Sequence, residues 1–235
     1  QLAGQLVADG HTVLTPRLPY HGQVNRQPRN LGDMTPDVLA AFLGDVLAVA
    51  HGLGDRITLL GFSFGGVLAG WAAQQRGDVH HVILASASLG LAAVRPWLRR
   101  PMTNLYAVLP DRLHWWDVER RESKLGPPHG YVVYSMRGVG VMLGLGNGLL
   151  AAARRRQPAA ARITIAVNPR DTVVDNRAAL ALANAWRKRG ADVTEYHFAP
   201  EMDLIHDYMD PLQPHQQVDR VYPIVRDLIA GLVTD

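Results

Sequence analysis

The 235-residue chain contains no cysteine. Disulfides, thiolate metal sites and a cysteine nucleophile are therefore excluded, and the balance tilts towards a reducing, cytoplasmic compartment. Lysine is almost absent as well: Lys124 and Lys188 are the only two, so the formal charge of +3 rests on arginine. The arginines are dispersed, without a basic stripe interleaved with aromatics, which argues against nucleic acid as a partner. One tight cluster, Arg154 to Arg156, follows an apolar helical stretch and suits a helix C-terminus, where cations complement the dipole. The uncharged stretch from Gly138 to Ala153 is shorter than the roughly 20 residues of a membrane span and carries five glycines and Asn147. We read no transmembrane segment. No His-Glu-x-x-His or comparable spacing offers a metal site, and no cofactor motif is complete.

What is present is an ordinary core-forming composition, 48% hydrophobic and 19% charged, enough for one domain with an insertion. Leu2, Leu6 and Val7 predict a helix over residues 1–9, ended by Gly10, before a strand at 11–15. Leu39, Phe42, Leu43, Val46 and Leu47 form a helical stripe within residues 34–50, with Thr35 as cap and Pro36 in the first turn. Strands are predicted at 57–60, 81–88, 163–167 and 193–199, with helices at 67–75, 178–189 (closed by Gly190) and 213–233. Alternating strands and helices imply an α/β fold, a doubly wound and mostly parallel sheet covered on both faces.

The alternation lapses between Gly90 and Pro158, too long for an ordinary loop. We assign residues 91–158 to a mainly helical cap inserted into a core formed by residues 1–90 and 159–235. Prolines at 96, 101, 110, 127 and 128 break the insertion into short pieces. Its aromatics, Trp97, Trp115, Trp116, Tyr106, Tyr131 and Tyr134, either line an apolar pocket over the site or build the cap's own small core. The glycines at 138, 140, 144, 146 and 148 mimic a dinucleotide loop but lack the acidic residue that should follow, so helix packing is expected.

The chemistry is concentrated in Ile57–Gly66, ITLLGFSFGG, an apolar run that enters a Gly-x-Ser-x-Gly turn and leaves as a helix. Ser63 is the candidate nucleophile. A serine in such an elbow has a strained backbone, so the positions two before and two after it must be small, and Gly61 and Gly65 meet that demand. A serine hydroxyl is a weak nucleophile at neutral pH and needs a histidine base, itself held by an acid. In doubly wound serine hydrolases these follow in the order Ser, Asp or Glu, His, on loops beyond strand ends.

Asp171, in the loop leaving the strand 163–167, is the candidate acid. Its rival Asp175 immediately precedes a helix and suits an N-cap. Of ten histidines, His206 in DLIHDYMDP follows the last strand and is the candidate base. His197 lies within a strand, His215 opens the final helix, and His80 and His81 begin a strand with their side chains on opposite faces. The His51-Gly52 pair is read as a helix end.

These residues give the chain the look of an α/β-hydrolase, in the branch of carboxylesterases and monoacylglycerol lipases that also holds serine peptidase relatives. The resemblance rests on LAGQLVADGHTVLTPRLPYHG, on GDRITLLGFSFGG, on the Asp171 loop, and on the His206-Asp207 loop with Val221-Tyr222-Pro223 after it. It implies that Ser63, Asp171 and His206 act as nucleophile, orienting acid and general base, and that the Phe64 backbone N–H is an oxyanion donor. Tyr20 stands where relatives have the glycine of Pro-Gly-His-Gly. Relatives also carry, ahead of the first helix, a strand and a His-Gly loop that supplies the second oxyanion donor. We therefore expect several tens of residues, N-terminal strands included, to precede Gln1 in the native protein, and a leader peptide stays compatible with that.

The function implied is metal-independent and cofactor-free cleavage of small carboxylic esters, with acyl or aromatic groups, through an acyl-enzyme. Peptidase, thioesterase and acyltransferase chemistry share the same triad. A ligand-binding protein that keeps the fold and site but turns over slowly or not at all is the reading from another class.

Overall fold

The computed structural model describes residues 1–116 and 130–232. Pro127, Pro128 and Lys124 fall outside them. Four parallel strands form the central sheet in the order β1 (Thr58–Phe62), β2 (His81–Ala85), β5 (Arg162–Val167), β6 (Val193–His197). A separate antiparallel pair, β3 (Leu113–Trp115) with β4 (Val133–Ser135), lies in the 91–158 segment. The helices are α1 (Leu2–Ala8), α2 (Pro36–Leu53), α3 (Phe64–Gln75), α4 (Arg99–Val108), α5 (Met136–Arg155), α6 (Asn176–Arg187) and α7 (Val218–Ala230).

Side chains alternate across the sheet with the two-residue period of a strand. Val82, Leu84, Ile163, Ile165 and Val167 join the larger core against α3, α5 and α6, where Trp186 is fully buried and its indole N–H donates to Gln74 Oε1 at 2.8 Å. Ile83 and Ala166 face the other way, into a second core with Phe198, Tyr208, Val221, Tyr222 and Val225 of the α7 side. Arg226 of α7 holds Asp9, beyond α1, through two hydrogen bonds of 2.6 Å. The sheet is thus covered on both faces, as the alternation of elements implied.

Among the described residues two helices, α2 and α5, are long and apolar enough to cross a membrane by length and composition alone. Here α5 packs against α3, α4 and α6 instead. Its glycines are the contact surface: a Cβ at Gly140 would lie 2.8 Å from Tyr106 Cβ, and one at Gly146 would lie 2.9 Å from the Leu89 carbonyl oxygen. Arg154 and Arg155 occupy its last turn.

Several expectations are corrected. Residues 11–15 form no strand, because a strand exists only by pairing and β1, the edge of the sheet, pairs with β2 alone among the described residues. The last helix begins at Val218, so His215 lies in the turn before it, with φ 58°. Ser86 to Ser88 leave β2 as loop, Ser86 with φ 41°.

Candidate active site

The site assembles where the parallel strands end. At the C-terminus of β1 the chain reverses into α3 through Ser63, whose φ of 52° and ψ of −114° are strained for a residue with a side chain. Hydrogen bonds hold this turn: Ser63 N–H donates to the Ala85 carbonyl at 3.0 Å, and its own carbonyl accepts from Gly66 and Ser88, both at 3.0 Å. Sterics explain two glycines. A Cβ on Gly61 would lie 2.2 Å from the Gly65 carbonyl oxygen, and one on Gly66 would lie 2.7 Å from Ala87 Cβ. Gly65, expected to be small for the same reason, has open space where its Cβ would stand. The crowded position after the serine is Gly66.

Asp171 and His206 come to the same place from two other loops. His206 Nε2 lies 2.9 Å from Ser63 Oγ, and His206 Nδ1 lies 2.7 Å from Asp171 Oδ2. The Asp171 side chain is fully buried and that of His206 is 10% exposed. Its other oxygen, Oδ1, accepts from the backbone N–H groups of Val173 and Val174 at 2.9 and 3.1 Å. Burial acts to raise the pKa of this carboxyl. The hydrogen bond from His206, the charge of that ring and the two backbone donors outweigh it, and the pKa lies below the ordinary carboxylate value. An ionised Asp171 can only accept, so the proton between them sits on Nδ1 of His206. That leaves Nε2 free to accept from the serine hydroxyl.

The other candidates are placed elsewhere. Asp175 caps α6, its carboxylate accepting from the Arg177 N–H at 3.1 Å. His197 is exposed near Glu195, and His51, in the last turn of α2, pairs with Asp78. His80 meets Arg56, and His81 is buried against Thr164. No group of three or more metal-ligating side chains occurs among the described residues.

Two supports, Asn168 and Phe62, went unseen in the sequence. Asn168, 1% exposed at the end of β5, donates its amide to the carbonyls of Leu204 and Ile205 at 2.8 and 3.4 Å, joining the acid loop to the histidine loop. An asparagine at a strand end before a proline was the available signal. Phe62 places its ring 5.3 Å from that of His206. Tyr20 takes the left-handed conformation, φ 63°, that suits a glycine, and its carbonyl is gripped by the Tyr131 hydroxyl at 2.9 Å.

Around Phe64 the backbone N–H finds no acceptor among the described residues, and it stands at the N-terminus of the 12-residue α3. Such an end is suited to negative charge. A cavity of about 600 Å³ lies between the start of α2, Trp71, α4 and α5, and includes neither Ser63, Asp171 and His206 nor the aromatics singled out in residues 91–158. Of those aromatics, Tyr134 packs on Trp116 and His114, while Trp97 is exposed.

The sequence profile of the alpha/beta hydrolase fold matches residues 2–125, more than half of the chain. The protein belongs to the α/β-hydrolase family. Among solved α/β-hydrolase structures, it is similar to one described with LipS and LipT, two metagenome-derived lipolytic enzymes. There the TM-score is 0.70 at 18% identity, covering 98% of this chain and 86% of the other. A monoacylglycerol lipase from Paleococcus ferrophilus gives 0.58 at 14% identity over 83% and 76%. A soluble variant of the monoglyceride lipase from Saccharomyces cerevisiae, in complex with a substrate analog, gives 0.58 at 15% over 86% and 71%. No curated protein matches this hydrolase-fold chain significantly in sequence.

Proposed function

We propose that the protein is a serine hydrolase that cleaves small carboxylic esters through an acyl-enzyme. The observation that carries this reading is the unbroken chain from Ser63 Oγ through both nitrogens of His206 to the buried Asp171. His206 Nε2 takes the hydroxyl proton as Ser63 Oγ bonds to the ester carbonyl carbon. The Phe64 N–H and the positive end of α3 stabilise the oxyanion. His206 then gives its proton to the departing alkoxide, and water, activated by the same ring, releases the acid and frees Ser63. Asp171 stays ionised throughout and stabilises the imidazolium. The lipases of similar fold support ester chemistry. We assign the nucleophile, acid and base roles to Ser63, Asp171 and His206.

Hydrolysis of 4-nitrophenyl esters of graded chain length, with thioester and peptide substrates alongside, tests the reading. Ester turnover should lead and should be lost in Ser63→Ala and His206→Gln. Activity surviving in either variant would overturn it.

A further inference from the structure

Asp175 lies four residues beyond Asp171 and is 5% exposed, but it is Asp171 that bonds His206. Besides capping α6 and accepting from Arg177 Nε at 2.8 Å, its carboxylate receives the guanidinium of Arg99. Arg99 is the first residue of α4, within the segment that joins β2 to β5, and its side chain is 8% exposed. The guanidinium presses against Gly90, where a Cβ would stand 2.4 Å from its central carbon.

Gly90 belongs to a short stretch that grips the acid loop from the other side. Its carbonyl accepts from the Asp175 N–H at 2.8 Å, Leu91 bridges Val174, and Ala92 N–H donates to the Val173 carbonyl at 2.9 Å. Val173 and Val174 are the two residues whose N–H groups orient Asp171. One continuous set of contacts therefore runs from α4 through Arg99, Asp175 and Gly90 to the carboxylate that holds His206. A buried ion pair adds little net stability, but any displacement strands a charge, so it selects a single arrangement of the elements it joins.

Resting on the hydrolase reading, we propose that Arg99 is a positioning residue. Through Asp175 it fixes the loop that aims Asp171 at His206, and it makes the geometry of the triad depend on where α4 sits.

The test uses the full chain with Arg99→Met/Asp175→Asn. This double variant leaves no unpaired buried charge and keeps an N-cap oxygen at 175. With 4-nitrophenyl acetate, kcat should fall about 10- to 100-fold while KM changes less than about threefold, a size expected for misplacement without loss of a reacting group. The downfield Nδ1–H proton resonance of His206 should shift or broaden. Arg99→Lys should fall between wild type and the double variant on each readout, and carries the test if the double variant does not fold. A folded variant with wild-type kcat and resonance would overturn the proposal. Should the wild type neither hydrolyse esters nor react at Ser63, the hydrolase reading fails, while the resonance still decides what Arg99 does.

Discussion

Replacing His81 with glutamine should flatten the loss of stability on the acid side of neutrality. His81 begins β2, at the end of the sheet away from Ser63; it is 2% exposed and its Nε2 lies 2.8 Å from Thr164 Oγ1 on β5. Burial, helped by the positive charges of Arg162 and His80 against the opposing Asp192, pushes its pKa down to about 4. In the unfolded chain the ring titrates near its ordinary value of about 6.5, so between these limits the unfolded state binds the proton and the folded state refuses it. Stability is therefore lost as pH falls from about 6.5 towards 4. At about 1.4 kcal/mol per pH unit the full loss is about 3 kcal/mol, of which about 2 is reached at pH 5. Glutamine stays neutral and can still bond Thr164. Denaturant unfolding followed by tryptophan fluorescence at pH 7 and pH 5 gives the change within each protein, so any constant packing cost of the substitution cancels. The wild type should lose about 2 kcal/mol more than His81→Gln over that interval. Equal losses would refute the assignment of a neutral, buried His81.

Three further outcomes follow. Asp171→Asn should lower kcat by about 10⁴-fold with little change in fold, since the imidazole loses both its tautomer and its counter-charge; steady-state kinetics and circular dichroism separate the two. Gly61→Ala should abolish reaction at Ser63, because its methyl would stand 2.2 Å from the Gly65 carbonyl oxygen and the elbow cannot close around it, whereas Gly65→Ala, with open space there, should keep the fold. Asn168→Ala should leave the Leu204 carbonyl without its donor, lowering stability by about 1–3 kcal/mol and kcat along with it, measured by melting and turnover on one preparation.

Much of this architecture was legible because it is written locally. The strand-turn-helix around Ser63, the cap at Thr35 and the cap at Asp175 each depend on a few adjacent residues, and each stands where the spacing placed it. The order Ser63, Asp171, His206 follows from where strands end, which hydrophobic runs mark well. What could not be read depends on partners distant in sequence. The stretch 11–15 has a strand's composition, but pairing decides whether a strand forms. Gly65 and Gly66 look alike in a motif, and only the approach of Ala87 shows which one is crowded. Arg99 and Asp175 are 76 residues apart, and nothing in the local sequence of either announces the other.

The central claim, that Ser63 is an activated nucleophile, is tested most directly by reacting the protein with a fluorophosphonate and mapping the adduct by peptide mass spectrometry. One adduct on Ser63, absent in Ser63→Ala and slowed at least about 100-fold in His206→Gln, is the predicted result. A folded protein that stays unmodified, or is modified equally well without His206, would contradict it.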